Sequence, residues 1–264
     1  MPFPAQCEFA AALGYDGLEV APFTLSERPH ETGAIDAAAT RRAARDAGIE
    51  IVSLHWLLVA PEGLSITDPD DNVRARTIDV MRRLIDLCGE LGGTALVHGS
   101  PLQRRLTAGD EDGTRDRATA CFAAVADTAK AAGVLYCIEA LAPQDAEFIN
   151  RVSEAAAMVD VIGSPHVRTM LDCCATARLD EETPADLIDR WLPSGHMAHV
   201  QVNDGNGQGP GQGDLDFKPI LAALQRHGYA GTVAVEPFDY VPDGPAAAAR
   251  AIGYLRGIEE ALRV

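Results

Sequence analysis

Short runs rich in β-branched residues alternate with longer alanine-rich amphipathic stretches from one end of the 264-residue chain to the other. This alternation constrains the fold more than any other feature, because it builds repeated βα units rather than separate α and β domains. The spacing predicts strands at Gly17–Ala21, Glu50–His55, Thr94–His98, Val134–Glu139, Val167–Asp172, Ala198–Asp204 and Thr232–Glu236. Helices are predicted at Ala37–Ala47, Asp71–Leu91, Arg115–Ala132, Ser153–Val161, Pro184–Arg190, Lys218–His227 and Pro245–Leu262. Several run into a glycine, as in AAGV and RHGYAG, where a left-handed cap turns the chain back toward the sheet.

Seven such repeats fall one short of the roughly eight of a (β/α)8 TIM barrel. The segment FAAALGYDG reads as a helix followed by a turn, and MPFPAQ before it carries two prolines, which suit a helix entrance better than a central strand. The expected fold class is therefore α/β, a (β/α)8 TIM barrel lacking its first strand, as a single domain over residues 1–264. Seven parallel strands should leave a gap, or a partner chain, beside the Gly17 strand, unless the natural chain begins upstream of Met1. A homo-oligomer is expected.

Charge narrows the partners. Lys and Arg number 22 against 39 Asp and Glu, a formal −17, so the surface repels phosphate backbones and anionic lipid. Neither nucleic acid nor membrane is an expected partner. No apolar run approaches the roughly 20 residues that cross a bilayer, and the N-terminus has no charged segment followed by an apolar one. The six cysteines form no CxxC pair, which argues against a disulfide framework or a structural zinc site. A cytoplasmic, reduced protein is expected.

Side chains alternate across a strand, so inward and outward parities can be read directly. In AHVQVND, Val200 and Val202 suit the helix-facing side, which leaves His199, Gln201 and Asn203 inward. The same reasoning turns Glu139 inward with Leu135 and Cys137, Asp172 with Met170, Glu236 with Ala234, and His55 with Ser53 and Ile51. All of these polar groups fall at the C-terminal ends of their strands, the rim where such barrels carry their chemistry. One strand-end carboxylate alone is more often a helix cap or a salt-bridge partner. Three carboxylates converging on one cavity, however, repel one another unless a cation compensates. Two Glu, one Asp and the Gln201 amide make an oxygen-donor set that favours Mg²⁺ or Mn²⁺ over zinc.

Other residues have equally plain structural readings. His55, His98 and His199 suit core histidines as well as substrate contacts, and Glu19 suits a rim salt bridge. Cys173 and Cys174 suit small packing residues. The loop DGNGQGPGQGD is either a mobile rim segment that closes on a ligand or a solvated connection; it is neither a P-loop nor a dinucleotide fingerprint.

The segments GYDGLEV, CIEAL, TMLD, HVQVND with GPGQGDLDF, and GYAGTVAVEPF together resemble the xylose isomerase-like superfamily, and in particular its hydroxypyruvate isomerase and ketose 3-epimerase branch. The resemblance spans residues 11–238. It implies metal ligation by Glu139, Asp172, Gln201 and Glu236. His199-Val200-Gln201 follows the hydroxypyruvate isomerase pattern rather than the H-x-H of the epimerases. Two departures concern the substrate: Ala175 stands where many relatives carry a histidine, and Asn206-Gly207 stands where epimerases place a basic residue.

The implied chemistry is divalent-metal-dependent isomerisation or epimerisation of a keto-sugar or hydroxy-keto acid through a cis-enediolate, with Glu139 and Glu236 moving the proton. His55, Trp56, His98, Arg104 and His199 are the expected substrate contacts, Trp56 because sugars lay their C–H faces on aromatic rings. The alternatives are a metal-dependent lyase or dehydratase of a keto-inositol or keto-sugar, and a non-catalytic sugar-binding subunit. An apurinic-site endonuclease would need a basic groove, which the −17 charge opposes.

Overall fold

The computed structural model describes residues 1–179 and 181–263. Its sheet has seven parallel strands in sequence order: β1 (Gly17–Val20), β2 (Glu50–Leu54), β3 (Ala95–His98), β4 (Leu135–Ile138), β5 (Val167–Asp172), β6 (Met197–Val202) and β7 (Val233–Val235). They form a nearly closed barrel. The helices are α1 (Phe3–Leu13), α2 (Ala37–Asp46), α3 (Asp71–Leu91), α4 (Glu111–Ala123), α5 (Ala126–Ala132), α6 (Val152–Ile162), α7 (Cys173–Leu179), α8 (Pro184–Trp191), α9 (Phe217–Arg226) and α10 (Gly244–Leu262).

The two prolines of MPFPAQ do open a helix, with Pro4 in its first turn, and Gly14 ends it at φ 88°. Residues 1–6 form no strand, so β1 and β7 are not paired with each other. A cavity of ≈ 1160 Å³ lies between them, lined by Leu18 and Glu19 on one side and by Val233, Ala234 and Val235 on the other. The helical layer bridges this gap on the outside: the Tyr15 hydroxyl donates to Ala248 O at 2.8 Å, and the Arg256 guanidinium donates to Gly14 O.

Local chemistry explains most boundaries. Asp36, Asp70, Thr183, Asp216 and Asp243 each accept a backbone N–H at the start of the following helix. The continuous helix expected over Arg115–Ala132 is two helices, α4 and α5. The break falls at Ala124, whose carbonyl accepts from Arg82 of α3 at 3.0 Å. The sequence reading also missed α7, which follows β5 with no loop because Asp172 itself caps it, Oδ1 accepting from Ala175 N at 2.6 Å.

Two apolar layers lie between sheet and helices. One contains Val20, Leu54, Leu96, Tyr136 and Ile138 with α3 and α4, and the other contains Leu171, Val200 and Val202 with α8 and α9. Inside the barrel a smaller cluster of Ala95, Val97, Cys137 and Met170 forms a floor. The polar inward residues stand above it. The glycine-rich stretch folds back on the buried Asp204, which accepts from Gly205 N at 3.0 Å, Gly213 N at 2.8 Å and Leu215 N at 3.2 Å. Glycine is required at 213, where a Cβ would stand 2.3 Å from Asp204 Oδ1.

Phe122 of α4 is fully buried, its ring 4.9 Å from His98 and 6.2 Å from Tyr136. Phe122→Ala is expected to lower the unfolding free energy by about 3–5 kcal/mol in urea denaturation. A loss under about 1 kcal/mol would mean that this layer is not packed as described.

Candidate metal centre

Register delivers the site. β5 and β6 pair Asp172 with Gln201, and β6 and β7 pair Val202 with Val235, which sets Asn203 level with Glu236. Asn203 then ties the strand ends together: its Nδ2 donates to Asp172 Oδ2 at 2.7 Å and to Glu236 O at 2.9 Å, while its Oδ1 accepts from Cys174 N at 2.7 Å. The parities read for β4, β5, β6 and β7 hold throughout. Glu139, Asp172 and Glu236 come together with one oxygen of each within 4.8 Å of the others.

Each acid is held differently. Glu236 Oε1 accepts from His55 Nδ1 at 2.8 Å and from Trp56 Nε1 at 3.1 Å. Trp56 has φ 52°, a left-handed backbone that bulky residues seldom adopt, and this conformation accompanies its reach to Glu236. Asp172 has a donor on each oxygen. The Glu139 carboxylate accepts no hydrogen bond from a described residue; it lies against Gly99, where a Cβ would be 2.3 Å from Oε2. Any side chain at 99 would displace it.

The electrostatics follow from burial and proximity. Burial, then Glu236 and Asp172, push Glu139 well above the usual carboxylate range, and Arg104 offsets only part of this. Burial and then Glu236 raise Asp172 to about 7. Burial lowers His55, but its hydrogen bond to Glu236 and the charge of Glu19 outweigh that and raise it. Two of the three acids therefore resist ionisation in the absence of a compensating charge.

Gln201, the amide expected to join the three acids, is paired with Asp172 across β5 and β6. Its Nε2 donates to Glu19 Oε1 at 2.6 Å, and its buried Oε1 has no partner. Three carboxylates and one unpaired amide oxygen fit a hard divalent cation, which oxygen ligands suit. Cys173 and Cys174 are buried, with thiols raised first of all by burial, and are not placed to add a thiolate.

Of the expected substrate contacts, the structure brings His55 and Trp56 to the acids and His199 to Glu19. His199 Nε2 lies 2.9 Å from Glu19 Oε2 without the alignment of a hydrogen bond. His98 turns away from the acids, which corrects its reading as a substrate contact, whereas Arg104 lies against Glu139. His98 faces the helix layer, its Nδ1 2.6 Å from the Tyr136 hydroxyl and its ring edge-on to Phe122. Burial and Arg104 lower it to about 3, so it is neutral. Arg104, fully buried, donates to the Glu139 backbone carbonyl at 2.6 Å, and its Nε and Nη2 have no partner among the described residues. Sequence reasoning passed over Asn203 as a site residue and rated Glu19 as a rim group; inward parity was the signal available for both.

A family model described as "Xylose isomerase-like TIM barrel" matches residues 7–258. The D-psicose 3-epimerase of Ruminiclostridium cellulolyticum is 30% identical over 237 residues, covering 88% of this chain and 76% of that protein. A putative hydroxypyruvate isomerase of Streptomyces coelicolor is 28% identical over 259 residues, covering 90% and 85%. Among solved structures, a D-psicose 3-epimerase crystallised in the presence of D-fructose superposes with TM-score 0.82 at 22% identity, covering 98% of this chain and 94% of that one. This last likeness speaks to the fold.

The raised acids make the metal-free fold pH-dependent in a defined direction. Asp172 ionises near 3.8 when unfolded and at about 7 when folded, so its protonated form favours the fold fully below 3.8, and that contribution is lost as pH rises through about 7. Glu139 and His55 act in the same sense. The melting temperature of metal-free protein should therefore fall between about pH 5 and about pH 8, and Mn²⁺ should recover it at the higher pH. A metal-free melting temperature that rises over this window would contradict the raised pKa values.

Proposed function

The chain belongs to the xylose isomerase-like TIM-barrel family, and from that premise we propose that it is a divalent-metal-dependent isomerase or epimerase of unphosphorylated keto-sugars. The observation that carries this reading is the meeting of Glu139, Asp172 and Glu236 within 4.8 Å at the rim of the barrel. Relatives named as a ketose epimerase and a hydroxypyruvate isomerase support the coarser class of sugar epimerase or isomerase.

Glu139, Asp172, Gln201 and Glu236 would hold Mn²⁺ or Mg²⁺, which when bound polarises a carbonyl and the hydroxyl beside it. The proton chemistry belongs to the two glutamates. Glu139, free of hydrogen-bond donors, is the side chain suited to remove a proton from the carbon next to the carbonyl. Glu236, oriented through Oε1 by His55 and Trp56, returns a proton from its other oxygen. Return to the opposite face of the same carbon epimerises, and return to the neighbouring carbon isomerises. Asp172 is fully engaged by Ala175 and Asn203 and serves as a fixed ligand rather than a base.

The cavity beside Glu236, ≈ 490 Å³, supports a neutral substrate. Phe3, Phe23, Trp56, Phe238 and Tyr240 line it, and no Lys or Arg does. Aromatic faces suit the apolar C–H surface of a sugar, whereas a phosphate would meet no Lys or Arg there among the described residues.

The test is proton exchange in D₂O. Mn²⁺-loaded protein should introduce deuterium beside the carbonyl of an unphosphorylated ketose, and Glu236→Gln should slow net conversion to the epimer or isomer by roughly 10²- to 10⁴-fold while the metal stays bound. Near-normal net conversion by metal-loaded Glu236→Gln would remove the two-glutamate scheme. A clear preference for ketose phosphates would overturn the assignment of a neutral substrate.

A further inference from the structure

Glu19 of β1 makes contacts that a rim salt bridge would not. Its side chain is 7% exposed and reaches across the barrel interior to two other strands. Ser53 Oγ of β2 donates to its Oε2 at 2.5 Å, and Gln201 Nε2 of β6 donates to its Oε1 at 2.6 Å. His199 Nε2 lies 2.9 Å from Oε2, and His55 Nδ1 lies 4.0 Å from Oε1.

A carboxylate accepts and does not donate, whereas a glutamine side chain carries one acceptor oxygen and one donor nitrogen. This asymmetry fixes the Gln201 amide. Turning it over would bring its oxygen against Glu19 Oε1 at hydrogen-bond distance, oxygen facing oxygen. The nitrogen therefore stays on Glu19, and Oε1 is forced to the other side, where it is buried and unpaired. A buried carbonyl oxygen without a donor is a costly arrangement unless a ligand completes it.

We propose that Glu19 is a positioning residue whose carboxylate locks the Gln201 amide with its oxygen presented as a metal ligand. This rests on the reading of Gln201 as a ligand, made above. Ser53 in turn holds the second oxygen of Glu19, so the lock is fastened at both ends. Through His55, which stands between Glu19 and Glu236, the same carboxylate is one step from the proposed proton donor.

A double-mutant cycle read by Mn²⁺ titration calorimetry tests this, with circular dichroism verifying that each variant is folded. Gln201→Ala should weaken Mn²⁺ binding, and Glu19→Gln should weaken it by roughly 10- to 100-fold, as for other residues that orient a metal ligand. The double variant should bind no more weakly than Gln201→Ala alone, because Glu19 acts through the amide that is already missing. Additive losses would mean that Glu19 acts through its own charge, and the positioning role would be overturned. If Gln201→Ala weakens binding and folded Glu19→Gln does not, the inference about Glu19 fails while Gln201 remains a ligand. If Gln201→Ala leaves affinity unchanged, the ligand reading itself fails and takes the inference with it. Should Glu19→Gln not fold, Glu19→Asp keeps an acceptor-only side chain but withdraws it from the amide, and the same cycle applies.

Discussion

The repulsion among Glu139, Asp172 and Glu236 is the constraint around which the upper half of this barrel is organised. Three acids with oxygens inside 4.8 Å of one another are unfavourable in a buried setting, and burial adds to the penalty of each charge. The surrounding residues act to hold the acids in place despite it. Asn203 and the Ala175 N–H fix Asp172, His55 and Trp56 fix Glu236, and Gly99 leaves room for Glu139. A divalent cation is the simplest counter-charge for such an arrangement, and the raised Asp172 and Glu139 describe the same site without one.

The layers below make that arrangement possible. Small and medium apolar side chains, Ala95, Val97, Cys137 and Met170, fill the barrel floor, so polar groups are confined to the upper tier. Parallel register then sets neighbouring strand ends at equal height, and one residue of slip in β6 would exchange Gln201 and Asn203 for Val200 and Val202. Glu19 and its partners brace this tier from β1 to β6, across the side on which the sheet is open.

Most of this was legible in the sequence because β6 and β7 carry unequal faces. Val200, Val202, Val233 and Val235 could only face helices, which fixed the inward direction of Gln201 and Glu236. The strand Ala95–His98 gave no such signal. Both of its faces are apolar, as in strands buried on two sides, so nothing showed that His98 points outward to Phe122 and Tyr136. The bond from Arg104 to the Glu139 carbonyl spans 35 positions and was likewise not legible. At the α4–α5 break the Ala124 carbonyl accepts from Arg82, 42 positions earlier in the chain, and no local pattern records that contact. Glu19 was legible as an inward carboxylate but not as the partner of Gln201, since that pairing spans 182 positions.

The central claim is that four oxygen donors on four strand ends share one cation. The most direct measurement is anomalous diffraction from crystals soaked in Mn²⁺. The account predicts a single strong peak within coordination distance of Glu139, Asp172, Glu236 and Gln201 Oε1, with Gln201 Nε2 still on Glu19. A peak bound elsewhere, or one at the three acids with the Gln201 oxygen turned away from it, would contradict it.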